Sequence, residues 1–126
     1  MKKWRWVSVK VAYAIHERQL AEHGGALGVL DRGRLVAALA RPRNLAAYGQ
    51  PDAAALAAAY AFGILKNHPF ADGNKRTAWV SARLFLAQNG YKLQFDPAEA
   101  VKTIEAVASG ELTESMLAKW LRNTIA

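Results

Sequence analysis

Apolar residues recur at helical spacing along most of the chain, and capping residues divide them into segments. Ser8 can cap a helix running to His23, where Gly24-Gly25 stops it. Asp31 can cap a second helix through Leu35 and Leu39 to Ala40, and Pro42, which has no N–H to donate, predicts its end. The stretch from Arg41 to Pro51 then reads as a connecting loop longer than the usual length of about four to six residues, and so as a candidate binding flap. Asp52 caps the next helix, whose Leu56, Tyr60 and Ile64 share one face and which ends at Asn67. From Asn74 to Asn89, with Gly90 as the stop, Ala78, Trp79, Val80, Ala82, Leu84, Phe85 and Leu86 surround the axis. A helix apolar on all sides is expected at the centre of a bundle. Asp96, Pro97 and Glu99 offer an N-cap, a first-position proline and a capping-box partner for a helix to about Ala108. Thr113 starts a last helix through Met116, Leu117, Trp120 and Leu121. Two short stretches alternate instead with a period of two, Lys3–Val7 and Tyr91–Phe95. They are expected to pair as a minor two-stranded element, with Trp4 and Trp6 as packing residues. The expectation is an all-α, compact single domain over residues 1–126, built around the helix at about 74–89.

Composition narrows the class of protein. At 126 residues the chain is of single-domain size and can bury about two-thirds of its unfolded surface. It has no cysteine, which removes disulfide frameworks, thiolate zinc sites and cysteine nucleophiles. The alanine-rich run from Ala53 to Leu65 falls short of the roughly twenty residues that cross a bilayer, so no membrane association is expected. Lys2 and Lys3 begin like a leader, but Arg5 and Lys10 interrupt the apolar region a signal peptide needs, so a cytoplasmic location is expected. The net charge of +7 favours anionic partners without choosing among nucleic acid, nucleotide and acidic protein. Lys and Arg are scattered, as on a solubilising surface, and only Lys75-Arg76 stand where their charge has a chemical use.

That use lies in His68-Pro69-Phe70-Ala71-Asp72-Gly73-Asn74-Lys75-Arg76. An imidazole titrating near neutrality can deprotonate a hydroxyl. One carboxylate plus substrate phosphates is how Mg²⁺ is commonly held, and a helix opening at Gly-Asn-Lys-Arg presents N–H groups to an anion. Pro69 keeps His68 out of helical geometry, so that the ring can face the next helix N-terminus. Asp72 could instead cap that helix through Asn74 or Lys75, and its two oxygens allow both roles. Lys75 and Arg76 oppose the macrodipole of the helix they begin, a contradiction that a bound anion resolves. The order Gly-Asn-Lys-Arg-Thr after a helix is not a P-loop, which follows a strand and has another glycine upstream. Elsewhere, His16 and His23 share a helical face but stand about 10 Å apart, too far to chelate one metal, and read as packing histidines. Arg83, two turns beyond Arg76, either lines the same site or pairs with an acid.

The segment closely resembles the signature of the Fic/Doc superfamily, through His68, Phe70, Asp72, Gly73, Asn74 and Arg76. The lysine at position 75 looks like the Doc branch, the toxins of toxin–antitoxin pairs, where adenylyl-transferring Fic proteins typically carry glycine. The resemblance continues in Ile15-His16-Glu17, Gly24-Gly25, Leu35 to Pro42, Lys66-Asn67 and Phe85 to Tyr91. It implies an all-helical fold and Mg²⁺-dependent transfer from ATP to a hydroxyl of a target protein. His68 would be the base, Asp72 the Mg²⁺ ligand, Gly73, Asn74, Lys75 and Arg76 the phosphate cradle, and Phe70 the anchor of the loop. Trp79 stands where adenylyl-transferring members usually have a second arginine for the nucleotide phosphates, which weakens AMP transfer relative to kinase activity. Doc-type toxins are similar to kinases that act on a translation elongation factor and are restrained by an inhibitory segment of a cognate antitoxin. The chain has no Ser/Thr-x-x-x-Glu inhibitory pattern of its own, which fits inhibition in trans. The alternatives are a Fic-type AMP transferase and, from another class, a basic helical nucleic-acid-binding module; direct nucleic-acid contact is not expected.

Overall fold

The computed structural model of the protein describes residues 3–26, 28 and 31–126. Lys2, weighed above as part of a leader, lies outside the described residues. Among the described residues six helices follow in order: α1 (Val9–His23), α2 (Arg32–Tyr48), α3 (Ala53–Asn67), α4 (Asn74–Gln88), α5 (Pro97–Ser109) and α6 (Glu114–Thr124). Five begin where the sequence places a cap. Ser8, Asp31, Asp52, Asp96 and Thr113 each accept a hydrogen bond from a first-turn N–H of the helix they precede. Such caps contribute about 1 kcal/mol apiece. No described helix is long and apolar enough to cross a membrane.

The middle of the bundle is shared by α3 and α4. Leu56, Tyr60 and Ile64 of α3 and Phe85 and Leu86 of α4 have no exposure, and α3 packs against α2, α4, α5 and α6. Its alanines explain how one helix can touch four others, because small side chains allow close approach on every side. Helix α1 packs on α4 and α2 and so lies against the chain segment that opens α4.

Three sequence expectations are corrected. Pro42 does not end α2, which continues to Tyr48, so the stretch from Arg41 holds no ten-residue flap. The proline leaves only the Ala38 carbonyl without its usual donor, and that oxygen faces Gly63 of α3, where a Cβ would stand 2.9 Å away. Pro42 itself is buried at this crossing, and its packing offsets the lost bond. Second, residues 3–7 form no strand with 91–95. Asn89 and Gln88, at the end of α4, donate to the Arg5 carbonyl, and the Arg5 N–H donates back to Asn89 Oδ1 at 2.9 Å. Val7 N–H donates to the Tyr60 hydroxyl, while Trp4 and Trp6 pack 5.8 Å from Phe85. The 91–95 segment pairs with the C-terminus instead, through a bridge between Leu93 and Ile125. Third, Glu99 closes no capping box, because its carboxylate accepts from Trp120 Nε1 at 2.7 Å and so ties α5 to α6.

Candidate active site

His68 ends α3 in the left-handed region, with φ of 49°, and its N–H still donates to the Ile64 carbonyl. It is the one non-glycine residue of the described chain with positive φ. That conformation costs about 1–2 kcal/mol for a residue with a Cβ, and it turns the chain sharply into Pro69 with the imidazole left exposed. The next residues are pinned. Phe70 is fully buried, and the Asn74 side chain clamps it from both directions, accepting from the Phe70 N–H at 3.2 Å and donating to the Phe70 carbonyl at 2.9 Å. From the other side, the segment entering α2 bonds to the same loop through Ala71 N–H to the Gly28 carbonyl and Asp31 N–H to the Pro69 carbonyl.

His16 supplies a further anchor. Only 3% exposed, it stacks on Phe70 with ring centroids 3.7 Å apart and planes 7° from parallel. Its Nε2 is 2.8 Å from the Asp72 carbonyl. Because a carbonyl only accepts, Nε2 carries the proton. The sequence marked His16 as a packing residue; the packing is there, and it also fixes the backbone of the candidate metal ligand. His23 is exposed beside Glu22 and has no part in the site.

Asp72 does not cap α4 through Asn74 or Lys75. Its Oδ1 accepts from the neighbouring Gly73 N–H at 2.8 Å and its Oδ2 faces the Ala26 N–H at 3.4 Å. Gly73 then starts α4 at φ of 79°, without a side-chain cap. Among the described residues, nothing accepts from the N–H groups of Asn74, Lys75 and Arg76, and no acid pairs with the two exposed cations. The positive end of the helix is therefore open, and two side-chain charges are added to it. Asn74, 5% exposed, commits its side-chain oxygen and one of its two amide hydrogens to the Phe70 clamp.

These groups line one cleft of about 430 Å³, made by His68, Ala71, Asp72, Gly73, Asn74, Lys75, Arg76 and Trp79 on one side and Val101, Ile104 and Glu105 of α5 on the other. All of the sequence-predicted site residues except the buried Phe70 meet there. Arg83 does not. It lies over the rings of Trp79 and Phe95, at 5.6 and 5.2 Å, and pairs with no acid among the described residues. The α5 wall went unread in the sequence. Val101, Ile104 and Glu105 are spaced as one helical face, but spacing does not say what that face meets.

The residues present suit a magnesium ion. No group of three or more described His, Cys, Asp or Glu residues could hold a metal by itself, and Mg²⁺ is usually carried by one or two carboxylates plus substrate phosphates. Asp72 keeps lone pairs beyond its two N–H contacts. Space beside it is preserved by Gly25, where a Cβ would come within 2.9 Å of Asp72 Oδ2.

Comparison with known proteins identifies the family of the chain. The model of the Fic/DOC family matches residues 6–86. The chain is similar to the protein kinase Doc of Escherichia phage P1, with 35% identity over 119 residues, 94% of each chain. It is also similar to the toxin Doc of Mycolicibacterium smegmatis, 46% identical over 76 residues, 58% of each.

Proposed function

We propose that this chain, which belongs to the Fic/DOC family, is the toxin of a toxin–antitoxin pair and a kinase that moves the γ-phosphate of ATP to a protein hydroxyl. The observation that carries this reading is one cleft holding an exposed imidazole, a carboxylate and an uncapped helix N-terminus with two cations that pair with no acid among the described residues. The relatives named as a protein kinase and as a toxin support the class. The acceptor, from the family resemblance, is a hydroxyl of a translation elongation factor, and phosphorylation there arrests growth.

In this reading the N–H groups of α4 together with Lys75 and Arg76 bind the triphosphate and neutralise charge that develops on transfer. Asp72 would hold Mg²⁺, which when bound screens the phosphate oxygens and orients them. His68 takes the proton from the acceptor hydroxyl as its oxygen bonds to the γ-phosphorus; the bond from that phosphorus to the β–γ bridging oxygen breaks, and ADP leaves. The left-handed turn at His68 and the hydrogen bonds of His16 and Asn74 hold base and cradle in a fixed relation before substrate arrives, so little ordering is left for the reaction itself. The net charge of +7 suits an antitoxin whose acidic or amphipathic segment folds against this domain.

The test is transfer of label to the target protein from ATP labelled at the γ- or the α-phosphate. Label from the γ position alone is expected. Label from the α position would establish AMP transfer instead. His68→Ala should lower transfer by about 10²–10⁴-fold with little change in thermal stability, because the ring is exposed and makes no hydrogen bond among the described residues.

A further inference from the structure

A second groove, of about 860 Å³, lies toward the opposite end of α4 from His68. It runs between the N-terminal segment, through Lys3, Trp4 and Trp6, and the end of α2, through Arg43, Ala46 and Ala47. Both indoles pack 5.8 Å from Phe85, which stands on α4 well beyond Arg76, roughly 14 Å along the axis at about 1.5 Å per residue. Lys3 and Arg43 are exposed, neither pairs with an acid among the described residues, and no acidic residue lines the groove. The Arg43 guanidinium lies over the Trp6 ring at 5.4 Å, so its charge is held at the groove rather than left free in solvent. Beside it α2 ends without a cap bond, and the carbonyls of Ala46, Ala47 and Tyr48 accept from no N–H among the described residues.

Resting on the reading of the chain as a protein kinase, we propose that this groove docks an acidic, partly apolar segment of the acceptor protein while the acceptor hydroxyl reaches His68. Charge selects an acidic occupant, because two cations face the groove and no carboxylate opposes them. The lining selects polypeptide over nucleic acid. Trp6 is already engaged by Phe85 and by Arg43, so a base could stack on it only by displacing the guanidinium. The open carbonyls at the end of α2 repel phosphate but accept from the N–H groups of a peptide. Position selects a substrate over an inhibitor, since an occupant this far from the phosphate cradle leaves the cleft open. Docking there makes delivery of the hydroxyl intramolecular, which raises its effective concentration at His68 and lowers KM without altering the transfer step.

Fluorescence anisotropy of the full chain with a short fluorescein-labelled peptide of alternating glutamate and leucine tests the groove without ATP. Wild type should bind it about tenfold more tightly than Arg43→Glu or Lys3→Glu, and about tenfold more tightly than the same peptide with glutamine for glutamate. Lys119→Glu, an equal change of charge at an exposed position of α6, should stay within about twofold of wild type. In the transfer assay, Arg43→Glu should raise KM for the target protein by about the same factor at unchanged kcat. No loss in Arg43→Glu and Lys3→Glu, or an equal loss in Lys119→Glu, overturns the groove as a site for an acidic segment. Tighter, Arg43-dependent binding of oligouridylate overturns it in favour of nucleic acid. Peptide binding as expected with an unaltered KM overturns the acceptor as its occupant. Absence of transfer by wild type overturns the kinase reading and the acceptor with it, while the anisotropy still decides whether the groove takes an acidic segment.

Discussion

Replacing His16 with phenylalanine removes one hydrogen bond and little else, and so measures what holds the candidate site in place. The new ring is close in size and can keep the parallel stack on Phe70, but nothing then donates to the Asp72 carbonyl, now reached at 2.8 Å. A buried acceptor without a partner costs about 1–3 kcal/mol. This bond is only part-buried, and water can reach the oxygen, so roughly 1–2 kcal/mol is the reasonable range. Unfolding entropy near 2.1 cal/mol/K per residue gives about 265 cal/mol/K for 126 residues, so a loss of 1.5 kcal/mol lowers Tm by about 6 °C. Activity should suffer more than stability. A displacement of about 1 Å in a positioned group can cost on the order of 10²-fold, and the freed carbonyl belongs to the residue that would carry Mg²⁺. Circular dichroism melts and γ-phosphate transfer, measured on the same preparations, give the two numbers. His16→Gln is the complement, keeping a donor but losing the stack, which is worth about 0.5–1.5 kcal/mol. Wild-type stability and transfer in His16→Phe would refute the reasoning, because the Asp72 backbone would then need no anchor from α1.

Two further outcomes follow from packing and from charge. Gly63→Ala should destabilise by about 1–3 kcal/mol in urea titration, although alanine is favoured over glycine within a helix by about 1 kcal/mol, because its Cβ would stand 2.9 Å from the Ala38 oxygen and 3.2 Å from the Ala38 Cα; a stabilised variant would show that α2 and α3 are not in close contact there. The hydrogen bond from Arg122 pulls the Asp52 carboxyl below its ordinary value of 3.8, against a smaller opposing effect of burial. Its folded value being depressed, the contribution to stability is full above about pH 4 and is lost as pH falls through the folded value. With both side chains about half exposed, 51% and 49%, the effect stays under about 1 kcal/mol. Melts of wild type and Arg122→Met should therefore differ slightly near neutrality and converge as pH falls through the depressed folded value; a difference that does not change with pH would contradict the assignment.

The sequence by itself determined the elements whose cause is local. Caps at Ser8, Asp31, Asp52, Asp96 and Thr113 are short-range hydrogen bonds, so a residue type at a boundary was enough to read them. The grouping of His68 to Arg76 was legible for the same reason, because one turn between two helices carries an imidazole, a carboxylate and two cations together. Tertiary structure decided whatever depends on a distant partner. Pro42 lies within a helix because its cost is local while the crossing with Gly63 that offsets it is not. The 91–95 segment pairs with the C-terminus through Leu93 and Ile125, while the side chains of Gln88 and Asn89 hold the backbone of Arg5. Glu99, whose spacing suits a capping box, is drawn away by the indole of Trp120. His16 and Glu105 belong to the site only because α1 and α5 pack on either side of it, and helical periodicity names a face without naming what covers it.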